Sequence, residues 1–142
     1  MTIAAILERK GPRVVSVEAE TPVRAAVALL AERRIGALPV VEAGAVAGIM
    51  SERDIIYCLA REGADVLDWP VSRVMTAPAV TVDAKTSVLA ALAQMTQRRI
   101  RHLPVVEGGG LVGIVSIGDL VAYRLDRIEQ EAEAMRAYIQ SA

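Results

Sequence analysis

Arg34-Ile35-Gly36-Ala37-Leu38-Pro39-Val40-Val41-Glu42 returns later in the chain as Arg99-Ile100-Arg101-His102-Leu103-Pro104-Val105-Val106-Glu107. The offset that carries Pro39 onto Pro104 also carries Val15-Ser16-Val17 onto Val80-Thr81-Val82 and Thr21 onto Thr86. It further carries Gly48-Ile49-Met50-Ser51 onto Gly113-Ile114-Val115-Ser116, and Asp54 onto Asp119. A single offset that holds from Val15 to Asp119 without a gap marks an internal duplication.

Working outward from those segments, each half has the same grammar. A short apolar run, Arg13 to Val17 or Ala79 to Val82, predicts a strand. Thr21-Pro22 and Thr86-Ser87 place a hydroxyl where a helix can be capped. From Val23 to Arg34 and from Val88 to Arg99, Ala and Leu recur at three- and four-residue spacing, which predicts a helix with one buried stripe. Leu-Pro-Val-Val ends that helix and starts an extended segment, because the residue before proline is pushed out of the helical region. Ala43-Gly44 and Gly108-Gly109-Gly110 reverse the chain, and Val46 to Met50 or Leu111 to Val115 returns as the second arm of a hairpin. Ser51-Glu52-Arg53-Asp54 then reads as a helix start, hydroxyl first and acids in the first turn. The unit is βαββα. One unit cannot cover both faces of its own sheet, so two are expected to pack about a pseudo-twofold axis, leaving paired clefts.

This predicts an α+β (α/β) fold in three stretches: residues 1–68 as the first repeat with an N-terminal helix, 69–124 as the second repeat, and 125–142 as a helical extension. The stretch from Gly63 to Met75 reads as a helix-breaking connector, with Trp69 as a packing anchor. Beyond Asp119, the apolar residues Leu120, Val121, Tyr123, Leu125, Ile128, Met135, Tyr138 and Ile139 alternate with charges and predict one long helix. Its stripe could be covered by a second copy in a homodimer, or by the chain's own Ile3 to Leu7.

Composition narrows the chemistry. The 142 residues are 54% hydrophobic yet contain no Phe and only 3% aromatics, which suits helices packed on sheets rich in β-branched residues. Sixteen basic residues balance seventeen acidic ones, so no global field draws in a nucleic acid, and an anion site must be local. Cys58 is the single cysteine. It excludes an intrachain disulfide and reads as a small buried hydrophobe in a reducing compartment. No apolar run reaches the roughly 18 residues that cross a bilayer, and Glu8, Arg9 and Lys10 stand where a signal peptide would have its apolar core. A cytoplasmic protein without membrane attachment is expected. His102 is the only histidine, which excludes a multi-imidazole metal site and leaves a catalytic triad without its usual base. No phosphate-loop or dinucleotide glycine pattern occurs, and Gly108-Gly109-Gly110 reads as a turn.

Gly48-Ile49-Met50-Ser51-Glu52-Arg53-Asp54 and Gly113-Ile114-Val115-Ser116-Ile117-Gly118-Asp119 resemble the closing motif of the cystathionine-β-synthase (CBS) domain: glycine, apolar, any, Ser or Thr, two variable positions, Asp. Together with the Leu-Pro-Val-Val segments, the resemblance covers residues from about 3 to 124 and implies a tandem CBS pair, or Bateman module. Such pairs bind AMP, ADP, ATP, NAD or S-adenosylmethionine between their halves and act as regulators. The implied adenosine ligand is a regulatory one, and no catalytic cofactor is expected.

The motif chemistry agrees with that implication. A carboxylate one turn into a helix can accept two hydrogen bonds from vicinal ribose hydroxyls, at about 1.5–3 kcal/mol each when charge-assisted. Ser51 and Ser116 at helix N-termini can meet a phosphate. The plain alternative is that Ser and Asp only cap their helices.

In the family each site is shared between halves. The resemblance therefore implies one cleft made of Ile49, Ser51, Arg53 and Asp54 with Pro78, Val80, Ile100, Arg101 and His102. It implies a second made of Ile114, Ser116 and Asp119 with Arg13, Val15, Ile35, Gly36 and Ala37. Val80 and Ile100, or Val15 and Ile35, would flank adenine. Arg101-His102 resembles a phosphate-gripping basic pair, where the other half has Gly36-Ala37. The Asp54 cleft is therefore expected to take the more highly charged ligand end. Two further readings compete with a ligand-binding regulator of an unidentified partner: a structural dimerisation module without ligand, and an enzyme acting on the nucleotide.

Overall fold

The computed structural model describes residues 1–141. The chain runs α1 (Ile3–Lys10), β1 (Val17–Glu18), α2 (Val23–Arg33), β2 (Ala37–Glu42), β3 (Ala45–Ser51) and α3 (Glu52–Glu62). Two 3-10 turns follow, Gly63–Asp68 and Val71–Arg73, then α4 (Val88–Arg98), β4 (His102–Glu107), β5 (Gly110–Ser116) and α5 (Ile117–Ser141). The fold is the expected pair of α+β repeats with a long C-terminal helix.

The duplication is repeated in the packing. One core contains Val17, Val23, Ala26, Leu30, Leu38, Val40, Met50 and Ile55. The other contains Val82, Val88, Ala91, Met95, Leu103, Val105, Val115 and Leu120. Each residue of the first set is carried onto one of the second by the same offset. The β2–β3 and β4–β5 hairpins are antiparallel, and both shift register at the same place, between Val40 and Val41 and between Val105 and Val106.

The first strand of each repeat is shorter than the sequence suggests. In the first repeat only Val17–Glu18 pairs with β2, in parallel. In the second, Val82 alone bridges Val105, with Val82 N–H bonded to the Pro104 carbonyl at 3.1 Å. Downstream of Val82 the Asp83 carboxylate accepts from the N–H groups of Lys85 and Thr86 at 2.9 and 3.0 Å, a side-chain turn that leads the chain into α4.

Helix boundaries also differ. The α2 and α4 helices stop at Arg33 and Arg98, and the next residues, Arg34 and Arg99, sit in the left-handed region at φ 53° and 54°. The helices thus end several residues before the prolines, through arginine caps in the conformation common at helix C-termini. Ser87 caps α4 as expected, accepting from Ala90 N–H at 3.0 Å. Thr21 does not cap α2. That helix begins after Pro22 without a side-chain cap, and its Val23 N–H is taken by the Trp69 carbonyl at 2.8 Å.

The segments that precede the repeats cross over. Residues 69–74 lie on the first core, with Val71 and Val74 buried there and Trp69 packed against it under the Arg73 guanidinium, 3.7 Å from the ring centre. The α1 helix lies on the second core, where Ile3 and Ile6 are buried. Ile3 and Ala4 N–H groups bond the carbonyls of Thr86 and Ala84, both at 2.9 Å. Each repeat is closed by a segment that arrives from outside it.

The α5 helix is anchored only near its start. Its start contributes Leu120 to the second core and meets α1 through an Arg9–Asp126 ion pair at 2.7 Å, with Arg9 also 5.7 Å from the Tyr123 ring centre. Its distal residues Met135, Tyr138 and Ile139 are 59%, 72% and 64% exposed. Of the stripe, only Leu120 and Tyr123 share a core with the N-terminal segment; Val121, Leu125 and Ile128 are 43%, 55% and 45% exposed. Among the described residues, no helix is long and apolar enough to cross a membrane.

Candidate functional site

Both motif aspartates sit at the third position of a helix and close a capping box. Asp54 Oδ2 accepts from Ser51 N–H at 2.9 Å and from the Ser51 hydroxyl at 3.0 Å, while Ser51 Oγ accepts from Asp54 N–H at 3.2 Å. Asp119 and Ser116 repeat the arrangement at 2.9 and 3.1 Å. The capping role is therefore real, and it engages one carboxylate oxygen of each residue. Asp54 Oδ1 accepts a long bond of 3.3 Å from Thr76 Oγ1.

Asp54 faces a cavity of about 190 Å³ at the seam between the repeats. From its own half come Ile49, Ser51 and Arg53; from the other half come Val80, Ile100, Arg101 and His102. Pro78, expected at the same cleft, is exposed and does not line it. Gly36 and Ala37, expected beside Asp119, line this cavity. They do so because the starts of β2 and β4 meet at the seam: a Cβ on Gly36 would lie 3.3 Å from His102 Cε1. Three further lining residues, Glu52, Thr76 and Arg99, were not expected. Arg99 is brought in by its left-handed cap, and Thr76 by antiparallel pairing with Ile49 through bonds of 2.8 and 3.0 Å.

The remaining candidates are dispersed. Ser116, Ile114 and Asp119 stay together, but the Lys10 ammonium stands among them, 2.7 Å from Asp119 Oδ2 and 2.8 Å from the Ile114 carbonyl. Val15 packs against the first core, Arg13 is exposed, and Ile35 lines a shallow groove with Val27 and Leu30 of α2 and Ile55 and Ile56 of α3.

The electrostatics of the two clefts differ accordingly. Three guanidinium groups and one imidazole line the Asp54 cavity, against the two acids Glu52 and Asp54. Burial lowers the His102 pKa below its ordinary value; Glu52 and Asp119 oppose that shift, while Lys10 and Arg101 reinforce it. Burial alone would raise the pKa of Asp119, but the hydrogen bonds and charge supplied by Lys10 and Ser116 hold it below the usual carboxylate value. Among the described residues, no group of three or more His, Cys, Asp or Glu could hold a metal ion. Apolar Val80 and Ile100, a carboxylate at a helix N-terminus and several cationic side chains in one lining suit a flat, anionic nucleoside derivative.

The CBS domain profile matches residues 8–61 and 71–126. The chain belongs to the CBS-domain family. A mitochondrial CBS domain-containing protein of Arabidopsis thaliana, CBSX3, is 38% identical over 120 residues, which cover 81% of this chain and 58% of that protein. The chain thus spans little more than half the length of this relative. Among solved structures, the CBS-domain protein ATU1752 of Agrobacterium tumefaciens superposes with a TM-score of 0.83 at 38% identity, over 87% of this chain and 99% of that one. The CBS domain protein PAE2072 of Pyrobaculum aerophilum, complexed with AMP, gives a TM-score of 0.75 at 30% identity, over 84% of this CBS pair and 89% of its own chain.

Proposed function

We propose that this CBS pair is a regulatory module that binds an adenosine nucleotide of the AMP, ADP, ATP or NAD type in the cleft at Asp54, and passes its occupancy to a protein partner. The observation that carries this reading is the cavity itself. It sets Asp54 of one repeat opposite Val80, Ile100, Arg101 and His102 of the other, so a ligand must touch both halves at once. In this reading Asp54 accepts ribose hydroxyls, Val80 and Ile100 enclose adenine, and Arg101, His102 and Arg53 meet phosphate. The AMP complex of PAE2072 supports the ligand class. A nucleotide that bridges the repeats fixes their relative set, and a partner that distinguishes the bound from the free set would read it.

The site is read as one for binding rather than catalysis: the hydroxyls paired with a carboxylate in its lining, those of Ser51 and Thr76, both meet Asp54, and Ser51 is engaged with it in capping α3. We further propose that the distal apolar face of α5 joins two copies in a homodimer, which sedimentation at increasing concentration would test.

The nucleotide reading is tested by thermal melting against AMP, ADP, ATP, NAD and S-adenosylmethionine. A bound nucleotide at 100 times its dissociation constant should stabilise the pair by about 2.7 kcal/mol. The gain should vanish in Asp54→Ala and shrink in Arg101→Ala. No shift with any ligand, or a shift that survives Asp54→Ala, would argue for a purely structural module.

A further inference from the structure

The two motif aspartates sit on equivalent elements, and among the differences around them one lies at the carboxylate itself. The offset of the duplication carries Lys10 onto Met75. Met75 turns inward: it packs against the first core, so close to β3 that a Cβ on Gly48 would lie 2.7 Å from its sulfur. The Oδ1 oxygen of Asp54 is thereby left to the cavity and to one hydroxyl, that of Thr76. Lys10 turns the other way. Its ammonium bonds Asp119 Oδ2, the oxygen that also caps α5, at 2.7 Å and the Ile114 carbonyl at 2.8 Å, so a cation stands beside the carboxylate that would meet a nucleoside there.

The helix that carries Lys10 is held in place on both sides. Leu7 covers Gly113 so closely that a Cβ there would lie 2.5 Å from its Cδ2, and Arg9 is paired with Asp126 at 2.7 Å.

We propose that Lys10 closes the Asp119 cleft to nucleosides, so that each chain takes one adenosine ligand, at Asp54. This rests on the nucleotide reading above. The physical reason is that a neutral hydroxyl is a weaker donor to a carboxylate than an ammonium, so a ribose approaching Asp119 competes with an ion pair already formed at 2.7 Å. Lys10 thus sets the number of ligands per chain, and Lys10→Met, the residue of the other half, opens the second cleft.

Two experiments on the intact chain separate this inference from the reading beneath it. Calorimetric titration with AMP is expected to give one site per chain in the wild type and two in Lys10→Met, falling back to one when Asp119→Ala is added. Two sites in the wild type would overturn the proposal, as would a single site in a Lys10→Met variant that melts cooperatively. The second experiment needs no nucleotide. Lys10 and Lys85 are the only lysines, and Lys85 is exposed. Limited acetylation read by mass spectrometry should label Lys10 several-fold more slowly than Lys85, with Asp119→Asn bringing the two rates together. Equal rates in the wild type, or no response to Asp119→Asn, would show that Lys10 does not hold the cleft. If AMP binds neither protein, the nucleotide reading fails, and the labelling still decides whether Lys10 occupies Asp119.

Discussion

Asp54 carries a double duty that shapes how its variants must be judged. One oxygen caps α3 through Ser51 and the other faces the cavity. Removing the side chain costs the cap about 1 kcal/mol whether or not a ligand binds, so ligand-induced shifts, not melting points alone, report on the site. His102 makes a pH prediction. Its folded pKa is lowered by burial, with Glu52 and Asp119 opposing and Lys10 and Arg101 reinforcing, so the unfolded chain binds the proton more readily than the folded one. Stability should therefore fall as pH drops below about 6.5 and stop falling below the folded value. Urea unfolding across this range would check it, and His102→Gln should flatten the dependence. Asp119 acts with the opposite sign: its lowered pKa stabilises the fold above the ordinary carboxylate range, and that contribution is lost as pH falls through the folded value. At this scale the motif made Ser51, Asp54, Ser116 and Asp119 legible, because a capping box is local in sequence. Lys10 was not legible, since it reaches Asp119 across 109 residues and its counterpart in the repeat is a methionine.

Among the elements, hairpins and helices followed from local signals, with exceptions. The first strands are shorter than their apolar runs suggest, and at the start of α2 the distant Trp69 carbonyl, not Thr21, takes the Val23 N–H. The β2–β3 turn offers a direct test of the duplication. Ala43 sits at φ 52°, where its counterpart Gly108 sits at 56°. A left-handed alanine costs roughly 1–2 kcal/mol, and glycine gives back part of that through its freedom in the unfolded chain. Ala43→Gly should therefore raise stability by about 0.5–1 kcal/mol, visible as a later urea midpoint with unchanged slope. No gain would mean that the turn relaxes. The crossing α1 helix makes a second test: Ile3 is fully buried in the second core, and Ile3→Ala should cost about 2–5 kcal/mol.

For the molecule as a whole, the equivalent cores and the crossed leading segments mean that each repeat depends on chain from beyond its own boundary. Deleting residues 1–11 should therefore destabilise the second repeat, with amide protons in β4 and β5 losing protection before those in β2 and β3. The exposed Met135, Tyr138 and Ile139 of α5 were legible as an amphipathic stripe, but a sequence holds no record of what covers such a face. The same holds for the regulated partner: a cleft is local chemistry, whereas a partner is chosen by surfaces outside it. The central claim, a carboxylate of one repeat gripping a nucleotide against the other repeat, is tested most directly by calorimetric titration of AMP into the wild type and into Asp54→Asn, which keeps a capping oxygen but loses the charge. Saturable binding in the wild type, weakened at least tenfold in Asp54→Asn, is the predicted result; equal affinity in the two proteins would contradict it.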